Sequence, residues 1–521
     1  MALVRSLATV GGYTGISRIL GFLRDILIAA AIGTGPVADA FFVAFRLPNL
    51  FRRLFAEGAF NAAFVPLFAR RLEEGGEAAA RAFAEHSLAV LLSVVLALTA
   101  VAMAFMPWLM IVLAPGFAAE PEKFDLAVEL SRITFPYLLF MVMVALFGAV
   151  LNSLYRFAAA AAAPILLNVI FIGALLLVLP VTGEPGHVLA WSVAAAGIGQ
   201  FLLLAVAARR AGMELRLPRP RLTPGVRRLM RLMGPGIASA GAMQVNLMVG
   251  TIIASLQAGA VSYLYYADRV YQLPLGLIGV AFGIVLLPEL SRKLRAGAEG
   301  AAMTSLNRGL ELGLLLTLPA SVALLVIPWP IVIVLFERGA FDRAASEATA
   351  WALAAYAGGL PAFVLVKLLQ PAFFAREDTV TPLKFALAGV VANIVLSLLL
   401  FWLLSARGLG HVGLALATSL AAWLTVLLLA VSLRGRGFLR FDARIRARLP
   451  RIGLASLTMG GVLWGLQSVL LPWFDQAIHL RIAGLAILVA AGLLAYGALA
   501  FAFGAFDRAE LAAMLRRRPS S

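Results

Sequence analysis

Fourteen apolar stretches of spanning length follow one another along the chain, separated by short polar turns. A helix needs about 20 mainly apolar residues to cross the hydrocarbon of a bilayer. The stretches run roughly 8–33, 37–69, 86–113, 128–153, 161–181, 187–208, 229–256, 262–290, 306–335, 346–375, 380–404, 410–433, 449–471 and 481–505. Turn chemistry punctuates them, as in Gly33-Thr34-Gly35-Pro36 and Gly183-Glu184-Pro185-Gly186. The longest polar segments, 209–231 and 434–451, are loop-sized and leave no room for a soluble domain. Only 13% of the residues are charged, about half the usual share, which cannot coat a soluble surface of 521 residues. No small-residue cleavage pattern closes the first stretch, and Arg18, Arg24 and Asp25 follow early, so that helix is expected to be retained.

Composition excludes several chemistries. The chain has no cysteine, so disulfides, thiol nucleophiles and iron–sulfur clusters are ruled out. Its four histidines, His86, His187, His411 and His479, are dispersed and offer no metal pair. Neither a phosphate-binding Gly-x-x-x-x-Gly-Lys loop nor a serine hydrolase signature occurs. A transport function would therefore draw on a gradient, the membrane voltage or a partner.

The charge that remains is strongly basic: 43 Lys and Arg against 26 Asp and Glu, a net +17. With the N-terminus inside, thirty of the basic residues fall in cytoplasmic segments, including eight arginines in 209–231 and seven in 434–451. Five fall outside: Lys123, Arg338, Arg343, Arg407 and Arg481. The asymmetry places both termini in the cytoplasm and explains most of the net charge by orientation and anionic-lipid contact. Nucleic-acid binding is a poor reading, because the basic loops are short and carry no aromatic platform.

The two halves echo each other. Ala59-Phe60, Val65-Pro66 and Arg70-Arg71 return as Ala281-Phe282, Leu287-Pro288 and Arg292-Lys293, an offset of 222. Pro107-Trp108 and Val112-Leu113 return as Pro328-Trp329 and Val334-Leu335, and Tyr155-Arg156 as Ala375-Arg376. The offset spans an even number of helices, so both copies share one orientation. Such parallel repeats place a substrate site between the halves. The expected fold class is an all-α polytopic membrane protein with 14 transmembrane helices, in two six-helix lobes in parallel pseudo-repeat plus two C-terminal helices. The lobes are expected at 1–225 (helices 1–6) and 226–436 (helices 7–12), with helices 13–14 and a basic tail at 437–521.

Eight basic residues are left inside the spans: Arg18, Arg24, Arg46, Arg52, Arg53, Arg132, Arg269 and Lys367. Each costs about 2.5–3.5 kcal/mol at a helix centre, so each faces protein or a wet cavity unless it snorkels, as Arg132 and Arg53 are expected to do. Candidate acidic partners are Asp25, Asp39, Glu57 and Asp268. Asp25 shares a helix face with Arg18, and Asp39 shares a stripe with Arg46 and Arg53. Ion pairs that orient helices account for some of these residues. The bases outnumber the acids, and a surplus of arginine forks suits a phosphorylated anion. Pro48 beside Asn49, Gly234-Pro235-Gly236 at the start of helix 7, and Pro274 in helix 8 are expected hinges. Gly11 and Gly15 have the spacing of a close helix contact. Helices 13 and 14 carry almost no intramembrane charge; a lipid or packing role suits them better than a catalytic one.

Ser17–Asp25 (SRILGFLRD) and Ala38–Phe60 (ADAFFVAFRLPNLFRRLFAEGAF) resemble the MurJ (MviN) lipid II flippases, as do Ala114–Phe117, Tyr265–Arg269 and Leu286–Pro288. The similarity runs along nearly the whole chain. The resemblance implies the multidrug/oligosaccharidyl-lipid/polysaccharide exporter superfamily, with two lobes forming a V and two added helices making a groove for a lipid tail. It implies lipid II as substrate, moved by alternating access through an arginine-rich central cavity. The essential cavity arginines fall on Arg18, Arg24, Arg52 and Arg269, and Asn49 joins them as substrate-binding. Asp25, Asp39, Glu57, Asp268 and Lys367 take gating or ion-pair roles. The implied setting is the bacterial cytoplasmic (inner) membrane. The implied partners are lipid II, anionic lipids of the bilayer and candidate cell-wall synthesis proteins. No cofactor and no metal is called for; a monovalent ion and the membrane potential are the candidate sources of coupling, and the sodium site of part of the family is not mapped onto these residues. The competing readings are a cation-coupled multidrug or lipid-linked oligosaccharide exporter of the same superfamily, and a non-transporting cell-wall scaffold. A membrane enzyme ranks last for want of a convergent acid/base pair.

Overall fold

The structure is a computed structural model that describes residues 2–55 and 59–505; Glu57 lies outside the described residues. These residues form helices and no strand. In a bilayer every backbone group must be satisfied within its own segment, which helices achieve without edges.

Two compact units are present, one of Met1–Ser262 with Arg338–Phe341 and one of Tyr263–Glu337 with Asp342–Ser521. The first contains α1 (Ala2–Ile32), α2 (Pro36–Phe55), α3 (Ala59–Ala104), α4 (Met106–Leu113), α5 (Pro121–Thr134), α6 (Tyr137–Ser153), α7 (Phe157–Gly173), α8 (Leu179–Thr182), α9 (Pro185–Arg210) and α10 (Pro224–Ala254). The helix α11 (Ala260–Arg295) begins in the first unit and continues into the second. The second also holds α12 (Glu299–Val326), α13 (Pro328–Phe336), α14 (Arg343–Ala357), α15 (Leu360–Phe374), α16 (Val380–Ser405), α17 (Gly410–Gly435), α18 (Ala443–Leu470) and α19 (Ile478–Ala502). The compact division at Ser262 thus keeps α10 with the first unit, where it packs on α3 and α2, and residues 437–505 fall within the second.

The helix boundaries repeat with the sequence. The helices α1, α4 and α5 begin at Ala2, Met106 and Pro121; α10, α13 and α14 begin at Pro224, Pro328 and Arg343, each 222 residues later. Proline stands in the first turn of both α4 (Pro107) and α13 (Pro328), where its missing N–H leaves no bond unmade. Side chains of Thr223, Asp342 and Asp442 cap α10, α14 and α18.

Ten helical segments of the described residues are long and apolar enough to cross a membrane. The helices α1, α2 and α11 are not among them, and these carry the expected site charges: Arg18, Arg24 and Asp25; Asp39, Arg46 and Arg52; Asp268 and Arg269. The expected proline hinges are not breaks. The helix α2 runs through Pro48, α11 through Pro274, and α10 starts at Pro224 and continues through 234–236. The non-helical kink of α3 is at Gly76 (φ 70°, ψ −173°), a conformation glycine adopts without steric cost.

Without a hydrophobic force between apolar helices in lipid, packing rests on close backbone approach at small residues. Gly413 on α17 shows this: a Cβ there would lie 2.7 Å from the backbone of Leu400 on α16. Gly460 on α18 makes room for the Val322 side chain of α12, whose Cγ1 lies 2.6 Å from where a Cβ would stand. Gly11 and Gly15 have no neighbour within 4 Å, so the close contact their spacing suggested is not formed. Phe474 is fully buried beneath α19, and Tyr496 Oη donates to the carbonyl of Leu315 at 2.6 Å, tying α19 to α12. Asp378, between α15 and α16, accepts from Thr381 N (2.9 Å), Thr381 Oγ1 (2.7 Å) and Arg436 Nη1 (2.7 Å). The hydrogen bonds from Thr381, joined by that from Arg436, lower its pKa to about 2, so this joint is fully held above the ordinary carboxylate range and is lost only as pH falls toward 2.

Candidate functional site

In the first unit, α1 presents Arg24 to α7. The Arg24 guanidinium donates to Asp25 Oδ1 from Nε (3.0 Å) and Nη2 (2.7 Å), and from Nη1 to Asn168 Oδ1 (3.0 Å). Asn168 Nδ2 donates in turn to the carbonyl of Ser17 at 2.9 Å, and Gly21 gives it room. The Arg24 side chain is 11% exposed and lies 5.5 Å from the Phe171 ring centroid. A charge so placed needs the partners it has. The face-sharing pair of Arg18 with Asp25 is not formed: Asp25 is bonded by its sequence neighbour Arg24. Arg18 is exposed, with no polar partner among the described residues.

On α2, Asn49 Nδ2 donates to the carbonyl of Phe45 (2.8 Å), and its Oδ1 accepts from Arg52 Nε at 3.1 Å. The arginine is thereby steered by an asparagine one turn before it. Arg46 donates to Thr251 Oγ1 of α10. The Arg53 side chain lies outside the described residues, and Arg132 is exposed, its Nε donating to the carbonyl of Met103 at 3.2 Å.

Asp39 does not pair along its own helix stripe. Its carboxylate is 0% exposed and meets Lys123 Nζ at 3.0 Å; Lys123 is itself 2% exposed. It also accepts from Gly259 N (3.0 Å), Ser262 N (3.0 Å) and Ser262 Oγ (2.7 Å), which sets it at the N-terminus of α11. An anion is favoured there by the helix dipole. Lys123 Nζ also lies 4.4 Å from the Phe117 ring centroid.

In the second unit, Asp268 accepts from Gln272 Nε2, and the Arg269 guanidinium lies 4.7 Å from the Tyr265 ring centroid. Lys367, on α15, is half-buried, with no polar partner among the described residues. The same unit holds a cluster the sequence pattern did not single out. Glu311 on α12 is 3% exposed and receives Arg308, Arg444 Nη2 (3.2 Å) and Arg448 Nη1 (2.5 Å), while Arg308 also reaches Asp442. Arginines that orientation alone seemed to explain therefore clamp α18 to α12. The overlooked signal was an acid five residues inside an apolar stretch, with Arg308 three residues before it on one face.

Asp25, Arg24 and Asn168 thus form one group, Asn49 with Arg52 a second, and Asp39 with Lys123 a third; Asp268, Arg269 and Lys367 stand in the other unit. The chemistry on offer is that of guanidinium donors in apolar helices, a group whose fork matches an anion's oxygens.

The family model for the lipid II flippase MurJ matches residues 28–484. A protein of Rhizobium tropici, named a probable lipid II flippase MurJ, is 46% identical over 526 residues, covering 99% of this chain and 97% of that one. The lipid II flippase MurJ of Burkholderia cenocepacia is 38% identical, covering 89% of this chain and 90% of its own. A solved lipid II flippase MurJ in an inward closed conformation matches with a TM-score of 0.77 at 27% identity, covering 95% of this chain and 98% of that one. An inward-facing multidrug resistance transporter of the MATE family, in the MOP superfamily, shares the fold at a TM-score of 0.66 and 15% identity, with 80% of this chain and 95% of that one covered. With a family model spanning most of its length and relatives matching it from end to end, this chain belongs to the MurJ lipid II flippase family.

Proposed function

We propose that this chain moves lipid II, the peptidoglycan precursor on an undecaprenyl diphosphate, from the cytoplasmic to the outer leaflet of the bacterial inner membrane. The observation that carries the reading is family membership over the full length; the assignment of Arg18, Arg24, Arg52 and Arg269 to the cavity is supported by the resemblance of the motifs that hold them. The chain acts as a transporter and not as an enzyme.

The fourteen-span topology, with both termini cytoplasmic and two six-helix lobes, is part of the proposal. It is supported by the charge asymmetry of the loops and by the recurrence of helix starts at an offset of 222. Arg24, Arg52 and Arg269 bind the diphosphate, since a guanidinium fork matches two phosphate oxygens at once. Asn49 orients Arg52. Arg18 and Asp39 gate or position, with Asp25, Asp268 and Lys367 balancing charge; Glu57 keeps a gating assignment from the motif alone. The head group crosses by alternating access, while the tail stays in lipid beside α18 and α19. A monovalent ion or the membrane potential supplies the drive; one elementary charge crossing 100 mV is worth about 2.3 kcal/mol. Anionic lipids and cell-wall synthesis proteins complete the proposed partners.

The test is rescue of cells depleted of their own flippase. The chain should restore growth, and Arg24→Ala and Arg269→Ala should each fail at normal protein levels. Full rescue by both variants would contradict the anion-binding assignment.

A further inference from the structure

One basic cluster lies apart from every group above. Arg227, Arg228 and Arg231, in the first turns of α10, line an open cavity of about 670 Å³ together with Leu222, Pro224 and Leu232. No acid lines the cavity, and α10 has none in its first turn. Cations near a helix N-terminus oppose its dipole, so position alone does not favour these three. Arg71 adds to the crowding: a Cβ on Gly225 would lie 2.1 Å from its Nη2. That guanidinium stacks on Phe83 at 4.0 Å and donates to the carbonyl of Leu67 at 2.9 Å. The neighbouring acid Glu74 is bridged to Arg70 at 2.8 Å. Bases therefore exceed acids around an open hollow, the condition under which an external anion is held. Leu222 and Leu232 are 60% and 50% exposed at the same hollow, so apolar surface adjoins the cations.

We propose that this cavity binds the phosphate of a lipid head group, with the lipid's chains lying over Leu222 and Leu232. The arginine forks supply recognition of phosphate, and the leucines distinguish a lipid-borne phosphate from a free one. Orientation by positive charge would be served equally by arginines dispersed along the loop; three around one cavity with leucines at its rim make a site. An anionic glycerophospholipid and the diphosphate of a polyprenyl lipid share this chemistry.

The experiment counts lipids retained by the purified full chain in native mass spectrometry. The probes are phosphatidylglycerol, phosphatidylcholine, lipid II and inorganic phosphate, each added separately. The variant Arg227→Gln/Arg228→Gln/Arg231→Gln is compared with Arg209→Gln/Arg210→Gln/Arg219→Gln, which removes the same charge elsewhere. Retention of phosphatidylglycerol, of a lipid II beyond the one held by the central arginines, or of both should fall about tenfold in the first variant and stay unchanged in the second. Which of the two falls identifies the source of the phosphate. Phosphatidylcholine should bind weakly throughout, and millimolar inorganic phosphate should not displace the lipid. Equal losses in both triple variants, loss in neither, or displacement by inorganic phosphate would overturn the proposal. If the triple variant is not monodisperse, Arg231→Gln alone gives the same reading, with a loss of about twofold expected and none overturning it.

Discussion

Asp39→Ala should cost the protein about 3–5 kcal/mol, because it leaves a buried ammonium with only the half-exposed Glu120 carboxylate, 3.6 Å away, as counter-ion. Lys123 is 2% exposed, and Asp39 is its fully buried partner. The same carboxylate satisfies Gly259 N, Ser262 N and Ser262 Oγ, so the substitution also orphans donors at the first turn of α11. Thermal unfolding followed by size-exclusion in detergent should show a lowered midpoint. Adding Lys123→Met to Asp39→Ala removes the stranded charge and should recover a large part of the loss. Strictly additive losses from the two substitutions would show that the pair is not coupled.

Glu311→Ala should release α18 from α12, at a cost of roughly 2–4 kcal/mol. The figure sits below that of a wholly buried pair because Arg308 and Arg444 are partly exposed and screened by solvent, while Arg448 is nearly buried. Three guanidiniums lose one shared acceptor, and Asp442 then answers only for Arg308. Hydrogen–deuterium exchange should rise in the first turns of α18 and stay unchanged in α16 and α17, whose contact rests on Gly413 against Leu400. Glu311→Gln keeps an acceptor without the charge and should fall between wild type and alanine. Unchanged exchange in α18 for Glu311→Ala would mean that apolar packing alone holds this helix.

The helices were legible in the sequence because apolar length and turn chemistry are local properties. So was the internal repeat: the offset of 222 found in paired motifs is also the offset between the starts of α1 and α10, α4 and α13, and α5 and α14. The site charges were legible as types for the same reason, since an arginine inside an apolar helix is anomalous whatever surrounds it. Their partners were not. Helical periodicity relates residues on one helix, and on that basis Asp25 faced Arg18 and Asp39 faced Arg46. Asp25 in fact takes its sequence neighbour Arg24, and Asp39 takes Lys123 from a different element. Asn168, which fixes Arg24 from 144 residues away, has no local signal beyond being an amide in an apolar run. Loop membership carried no sign of the buried acids that Lys123, Arg444 and Arg448 meet, because a residue near a span's end can fold back onto one. The helices α2 and α11 run on through Pro48 and Pro274; in α2 the Ala44 carbonyl that Pro48 leaves free accepts from Thr134 Oγ1 at 3.0 Å.

The most direct measurement is the transbilayer movement of labelled lipid II in vesicles reconstituted with the purified chain. Vesicles holding the wild-type protein should bring inner-leaflet label to an external probe, and Arg24→Ala vesicles of equal protein content should do so at least about tenfold more slowly. Movement no faster with the wild-type protein than in protein-free vesicles would contradict the flippase assignment. Equal rates for wild type and Arg24→Ala would leave the flippase standing and contradict the role given to its arginines.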